Sequence, residues 1–190
     1  MTNVSSGDRY RAVFSGLCIL AAYSMLTYDF TRNVPVGAVT DVLSGLAVIV
    51  IAVLMFPLFN SAGNRAFSVA YAASRLCEGL LMIAGGIAIL SPVSEGFRGF
   101  SYEYVHIYFF ISGALLFYIL LKRNGLVPGF ITIWGIAAAG LLCAITVLRL
   151  IGVSNIVLDA LLLPMILNEI FLALWLIVKG FNIRTLEPAD

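Results

Sequence analysis

Apolar residues in this chain neither alternate nor fall into narrow stripes; they run on for a helix-length at a time. A helix needs about 20 mainly apolar residues to cross the hydrocarbon layer of a bilayer. Six stretches meet that length, at 10–28, 40–59, 66–90, 102–121, 128–150 and 156–178. Polar and turn-forming clusters separate them: Asn33-Val34-Pro35, Asn60 to Asn64 (NSAGN, with Ala62 inside it), Ser91-Pro92, Arg123-Asn124-Gly125 and Gly152-Val153-Ser154-Asn155. The runs are too long and too continuously apolar for the alternating strands of a lipid-facing barrel. The pattern therefore predicts an all-α, polytopic membrane bundle of six transmembrane helices, with residues 1–190 forming a single membrane domain.

Composition sharpens this. The chain is 62% hydrophobic and only 11% charged, with a mean hydropathy of +1.05. Soluble domains run near half apolar and a quarter charged, so a soluble enzyme domain is excluded. Eleven Lys and Arg against ten Asp and Glu leave a net charge of +1. That balance lacks the basic footprint of a nucleic-acid binder. The partner implied is the lipid bilayer, with a small ligand or a proton as candidate cargo and a homo-oligomer or partner subunit left open.

Charge also orients the spans. Arg9, Arg11, Arg65, Lys122, Arg123, Lys179 and Arg184 fall on one side, whereas Arg32, Arg98 and Arg149 fall on the other. The positive-inside rule then places both termini in the cytoplasm. Tyr28, Phe30, Phe100, Tyr102 and Tyr104 gather near the opposite boundary, where amphipathic rings suit a headgroup layer. Arg9 and Arg11 before an apolar run imitate a secretory leader, but no small-residue cleavage site comes after it. A retained first helix is expected. Cys18, Cys77 and Cys143 all lie within apolar runs and read as buried hydrophobes, not as a disulfide framework or metal cluster.

Arg75, the remaining basic residue, sits inside the third span. At 1.5 Å per residue it lies roughly 15 Å from Arg65 along the helix, and Glu78 roughly 20 Å. Glu169 lies about 15 Å before Lys179 in the sixth span, at a similar depth. A charge at the centre of a membrane helix costs on the order of 2.5–3.5 kcal/mol, which favours a mutually compensating cluster over three separate defects. Arg75 is expected within direct or water-bridged reach of Glu78 or Glu169. One guanidinium neutralises only one carboxylate, leaving the other for a proton. Asn168 adjoins Glu169, and Pro164 should interrupt the helix just before them. The buried polar site is thus Arg75, Glu78, Asn168 and Glu169, serving either as a polar clasp between helices or as a proton, ion or ligand site.

A second group gathers at the opposite rim: Asp41, Glu103, His106, Arg149 and Asp159. Imidazole titrates near neutral pH and carboxylates bind hard ions, so these residues could support acid–base chemistry. Their spacing matches no motif, and acids near helix starts also serve as caps and dipole partners. No metal site is assigned and no cofactor is called for. Phosphate-binding glycine loops, CxxC pairs, HExxH and nucleophile elbows are absent, and none of Ser15, Ser24, Ser44, Ser68, Ser74 and Ser112 has an adjacent base that would make it a nucleophile. Small residues at helical spacing, including Gly79, Gly86 and Gly135, suggest close helix contacts. The spans also divide into two sets of three with opposed orientation, with Glu78 and Glu169 in corresponding positions, as in inverted-repeat transporters. No residue identity supports the repeat.

The closing stretch from Asn168 to Gly180 (NEIFLALWLIVKG) resembles the closing signature of an uncharacterised bacterial integral-membrane family, known as domain of unknown function number forty-three eighty-six. Further similarity lies in Arg75-Leu76-Cys77-Glu78, in His106 and in the KRNGLVP turn from Lys122 to Pro128. The resemblance implies a multi-pass protein of the bacterial inner membrane and supplies no reaction. Two functional classes remain: a binding or transport bundle using the buried Arg/Glu/Glu site, and an intramembrane enzyme using His106, Glu103 and Asp159 at the rim. A third reading makes the protein an accessory subunit in which buried charges only fix packing.

Overall fold

The computed structural model describes residues 6–61, 63–91, 95–153 and 155–182. Ala62, Pro92, Ser154 and Arg184 lie outside the described residues. Among the described residues, six helices are long and apolar enough to cross a membrane: α1 (Gly7–Thr31), α2 (Val34–Phe59), α3 (Arg65–Ala88), α4 (Gly96–Arg123), α5 (Gly129–Leu150) and α6 (Ile156–Val178). This is the architecture of a multi-pass membrane protein. Local chemistry sets several boundaries. The Asn33 side chain accepts from the Val36 amide at 3.1 Å with Pro35 in the first turn, and Asn155 caps Leu158 in the same way at 3.0 Å. Gly180, at φ +77°, ends α6 in the left-handed conformation that glycine takes without penalty.

Each helix packs beside its neighbours in sequence, and α6 returns to α1, so the six form a closed ring. Glycines permit the closest approaches. A Cβ added to Gly79 would stand 2.6 Å from the Gly45 carbonyl oxygen, and one on Gly86 would stand 2.8 Å from that of Ala38, so α2 and α3 meet backbone to backbone. Gly16 lets α1 approach the Ala173 carbonyl of α6, and Gly135 of α5 accommodates the Tyr118 ring of α4.

The start of α1 and the end of α6 meet at one end of the ring, here called the terminal end. Arg9 donates to the Ile177 carbonyl at 2.8 Å, and the Asn182 amide donates to Leu126 at 2.8 Å. The Arg123 guanidinium donates to Asn64 at 3.2 Å and joins the two remaining turns there. Toward this end the ring is filled by aromatics: Phe59, Tyr71, Phe117 and Tyr118 are buried and contact one another with ring centroids 5.4–5.9 Å apart. Toward the other end the ring is not filled.

Three interruptions of regular helix fall in that unfilled half. They are a 3₁₀ turn at Tyr23–Leu26 in α1, a π-turn at Tyr102–His106 in α4 and a turn at Leu161–Leu162 in α6. Pro164 comes just after the last of these and occupies the first turn of Leu163–Val178, where its missing N–H has no helical partner to lose. The expected interruption is therefore a clean restart of the helix.

Candidate functional site

A cavity of about 700 Å³ occupies the unfilled half of the ring. Every helix contributes to its lining. Its walls are mainly apolar, with Met25, Val48, Met82, Ile107, Leu142, Ile145, Met165 and Ile166 among them. Its mouth carries Glu103, Tyr104, Arg149 and Asp159, all exposed, and its polar floor is Glu78, His106 and Glu169. Below that floor lies the aromatic plug, so the space is a blind cup.

At the floor, Arg75 and Glu78 lie one turn apart on α3. The guanidinium donates to Glu78 Oε2 at 2.8 Å and Oε1 at 3.1 Å, and both residues are buried. Rings surround this cation: its guanidinium carbon lies 5.7–6.0 Å from the centroids of Tyr71, Phe110 and Phe117. Gly113 of α4 makes the room, since a Cβ there would stand 3.0 Å from Arg75 Nε. Glu169 is held differently. The Tyr23 hydroxyl, from the 3₁₀ turn of α1, donates to its Oε2 at 2.7 Å. Arg75 is within electrostatic reach of Glu169, and a void of about 40 Å³, roomy enough for one water, is lined by Arg75, Glu78, Tyr118 and Glu169.

The sequence pattern puts His106 at the rim; the structure puts it at the floor. The fourth helix begins at Gly96 instead of near 102, which carries residue 106 about 15 Å along the helix. Its ring stacks between Tyr102 (4.9 Å) and Phe110 (6.4 Å), and its Nε2 stands 3.9 Å from Glu78 Oε1. That separation is too long for a hydrogen bond. The Nε2 atom is buried without a partner.

The other rim residues separate as well. Asp41 is fully buried and does not line the cavity; it accepts from Arg98 Nε at 2.6 Å and from a second Arg98 nitrogen at 3.2 Å. Arg98 also reaches Asp29 at 3.1 Å and the Met25 carbonyl at 3.0 Å, with its guanidinium carbon 4.8 Å and 4.6 Å from the Tyr28 and Tyr102 ring centroids. This clamp ties the start of α4 to α1 and α2. Arg149 and Asp159 pair across the α5–α6 turn at the mouth. Asn168 also departs from its expected place. Successive residues project about 100° apart on a helix, so with Glu169 facing the cup, Asn168 faces α5 and donates to the Ile131 carbonyl at 3.1 Å.

Sequence reasoning missed Tyr23, Arg98 and Asp29. The chain places Arg98 in a nominal loop, and a tyrosine in an apolar run carries no positional signal. Among the described residues, no group of three His, Cys, Asp or Glu side chains could hold a metal ion.

Residues 97–180 match the model of a family described as a domain of unknown function (DUF4386). The matched stretch carries α4, α5 and α6, and with them His106, Glu103, Arg149, Asp159 and Glu169. Arg75 and Glu78 lie outside it. No curated protein and no solved structure matches the chain.

Proposed function

We propose that this multi-pass membrane protein binds a small, mainly apolar molecule in the cup, with the molecule's polar end directed at Glu78, His106 and Glu169. The observation that carries this reading is the cavity itself, about 700 Å³ in volume and ending on two carboxylates and an imidazole at the centre of the ring. Small-molecule sites occupy about 300–1,000 Å³ and join apolar walls to a few convergent polar groups. A clasp whose only task was to orient helices would be packed around, because an unfilled cavity forfeits dispersion contacts along its whole lining. The aromatic plug toward the terminal end makes the arrangement a receptor or one-side-open carrier state and not a continuous pore.

The test is to fill the cup. Thr146 is buried on α5 and lines the cavity. The protein in lipid nanodiscs should bind the neutral fluorescent probe 1-naphthylmethanol above the level seen with empty discs, and Thr146→Trp should abolish that increment while leaving the helical circular-dichroism signal intact. Equal binding by the parent and by a folded Thr146→Trp protein would remove the cup as the site.

A further inference from the structure

Resting on the binding reading above, we infer that the cup selects amphiphilic cations, a protonated amine carried on an apolar body, with Glu169 receiving the cationic head. The charges lining the cavity point this way. Glu78, Glu103, Asp159 and Glu169 are acids, and among the described lining residues Arg149 is the single arginine or lysine. Arg149 is paired with Asp159, and Arg75 behind the floor gives its guanidinium to Glu78 in a two-oxygen contact. Glu169 at the floor and Glu103 at the mouth are left over. An ionised Glu169 shares the charge of Arg75 with Glu78, and the hydroxyl of Tyr23 supplies it a hydrogen bond but no charge.

A second, independent feature agrees. His106 Nε2 is buried, unpartnered and in a residue that lines the cup. An ammonium head carries three donors and no acceptor, which suits a floor of two carboxylates beside an imidazole. Tyr23, Tyr102 and Phe110 add aromatic rings to the lining. An anion would meet no uncommitted arginine or lysine in this lining, and a neutral ligand would leave Glu169 with only the shared, more distant charge of Arg75. The exposed carboxylate of Glu103 adds a field at the mouth that draws cations in.

Three probes with one aromatic body separate the alternatives: 1-naphthylmethylammonium, 1-naphthylmethanol and 1-naphthoate, titrated against the protein in phosphatidylglycerol nanodiscs with empty discs subtracted. The ammonium is expected to bind at least about tenfold more tightly than the alcohol, equivalent to about 1.4 kcal/mol, and the carboxylate least of all. Glu169→Gln should cost the ammonium about tenfold more affinity than it costs the alcohol, and an intact helical circular-dichroism signal shows that the variant is folded. Equal affinity for ammonium and alcohol, or tightest binding of the naphthoate, would overturn the cation assignment and leave the cup standing as a binding site. Failure of all three probes to exceed empty discs would overturn both. An ammonium head can come from a soluble amine or from a lipid headgroup. Adding phosphatidylethanolamine to the discs distinguishes these: competition that weakens the probe identifies the lipid, and unchanged affinity identifies the soluble amine.

Discussion

The guanidinium of Arg75 is confined on all sides, by the Glu78 carboxylate, by three aromatic rings and by the bare backbone of Gly113. Its environment separates two energies that are easily confused. A buried ion pair adds little over an apolar pair of the same shape, but removing one partner strands the other. Arg75→Ala should therefore destabilise the bundle by about 3–5 kcal/mol, because Glu78 would remain buried without its cation. Arg75→Met combined with Glu78→Leu should recover most of that loss. Unfolding of the purified variants in mixed micelles reads both effects, and a double variant as unstable as Arg75→Ala would show that the charge pair itself holds the helices.

At the scale of the helix, the contrast is between elements that pack by contact and elements that yield around the cup. Gly79 of α3 faces the backbone of Gly45, and a methyl group has no place to go. Gly79→Ala should cost about 1–3 kcal/mol through separation of α2 and α3. Gly140, exposed on α5 with open space around it, is the control: Gly140→Ala should be neutral or stabilising, since alanine is the better helix former. The same unfolding measurement compares them, and equal losses at the two positions would contradict the close contact. The yielding elements are the 3₁₀ turn of α1, the π-turn of α4 and the restart of α6, and each places at least one residue on the cavity lining. Such turns re-aim side chains that a regular helix would direct elsewhere, as Tyr23 and His106 illustrate.

The whole molecule is a ring stoppered at one end and open at the other, with the start of α1 and the end of α6 on the stoppered side. Arg9 bonds the last turn of α6, so residue 9 and residues 177–178 share a face of the membrane. Arg9, Arg11, Arg65, Lys122, Arg123 and Lys179 flank that face against Arg32, Arg98 and Arg149 at the other, so the positive-inside rule predicts that it is cytoplasmic. A reporter fused after residue 190 should therefore register as cytoplasmic and one inserted after Ser91 as external. Two identical readings would refute six crossings, and exchanged readings would reverse the orientation and open the cup to the cytoplasm.

Hydrophobic run length determined the six helices, because no alternative structure satisfies the backbone of a 20-residue apolar stretch in lipid. The same economy of charge in lipid made Arg75, Glu78 and Glu169 stand out, and the pairing of Arg75 with Glu78 comes from their spacing of three on one helix face. Sequence alone stopped there, since neither the ring closure by α6 on α1 nor the angular position of each helix is written in run length. Those depend on where small residues let backbones touch, as at Gly45 and Gly79, and on small irregularities that rotate the helical turns beyond them. Tertiary packing thus sent Asp41 to Arg98, turned Asn168 toward Ile131, sank His106 to the floor and brought Tyr23 to Glu169. It also left the cup unfilled. A cavity is a property of six surfaces at once, and no single stretch of sequence encodes the space between them.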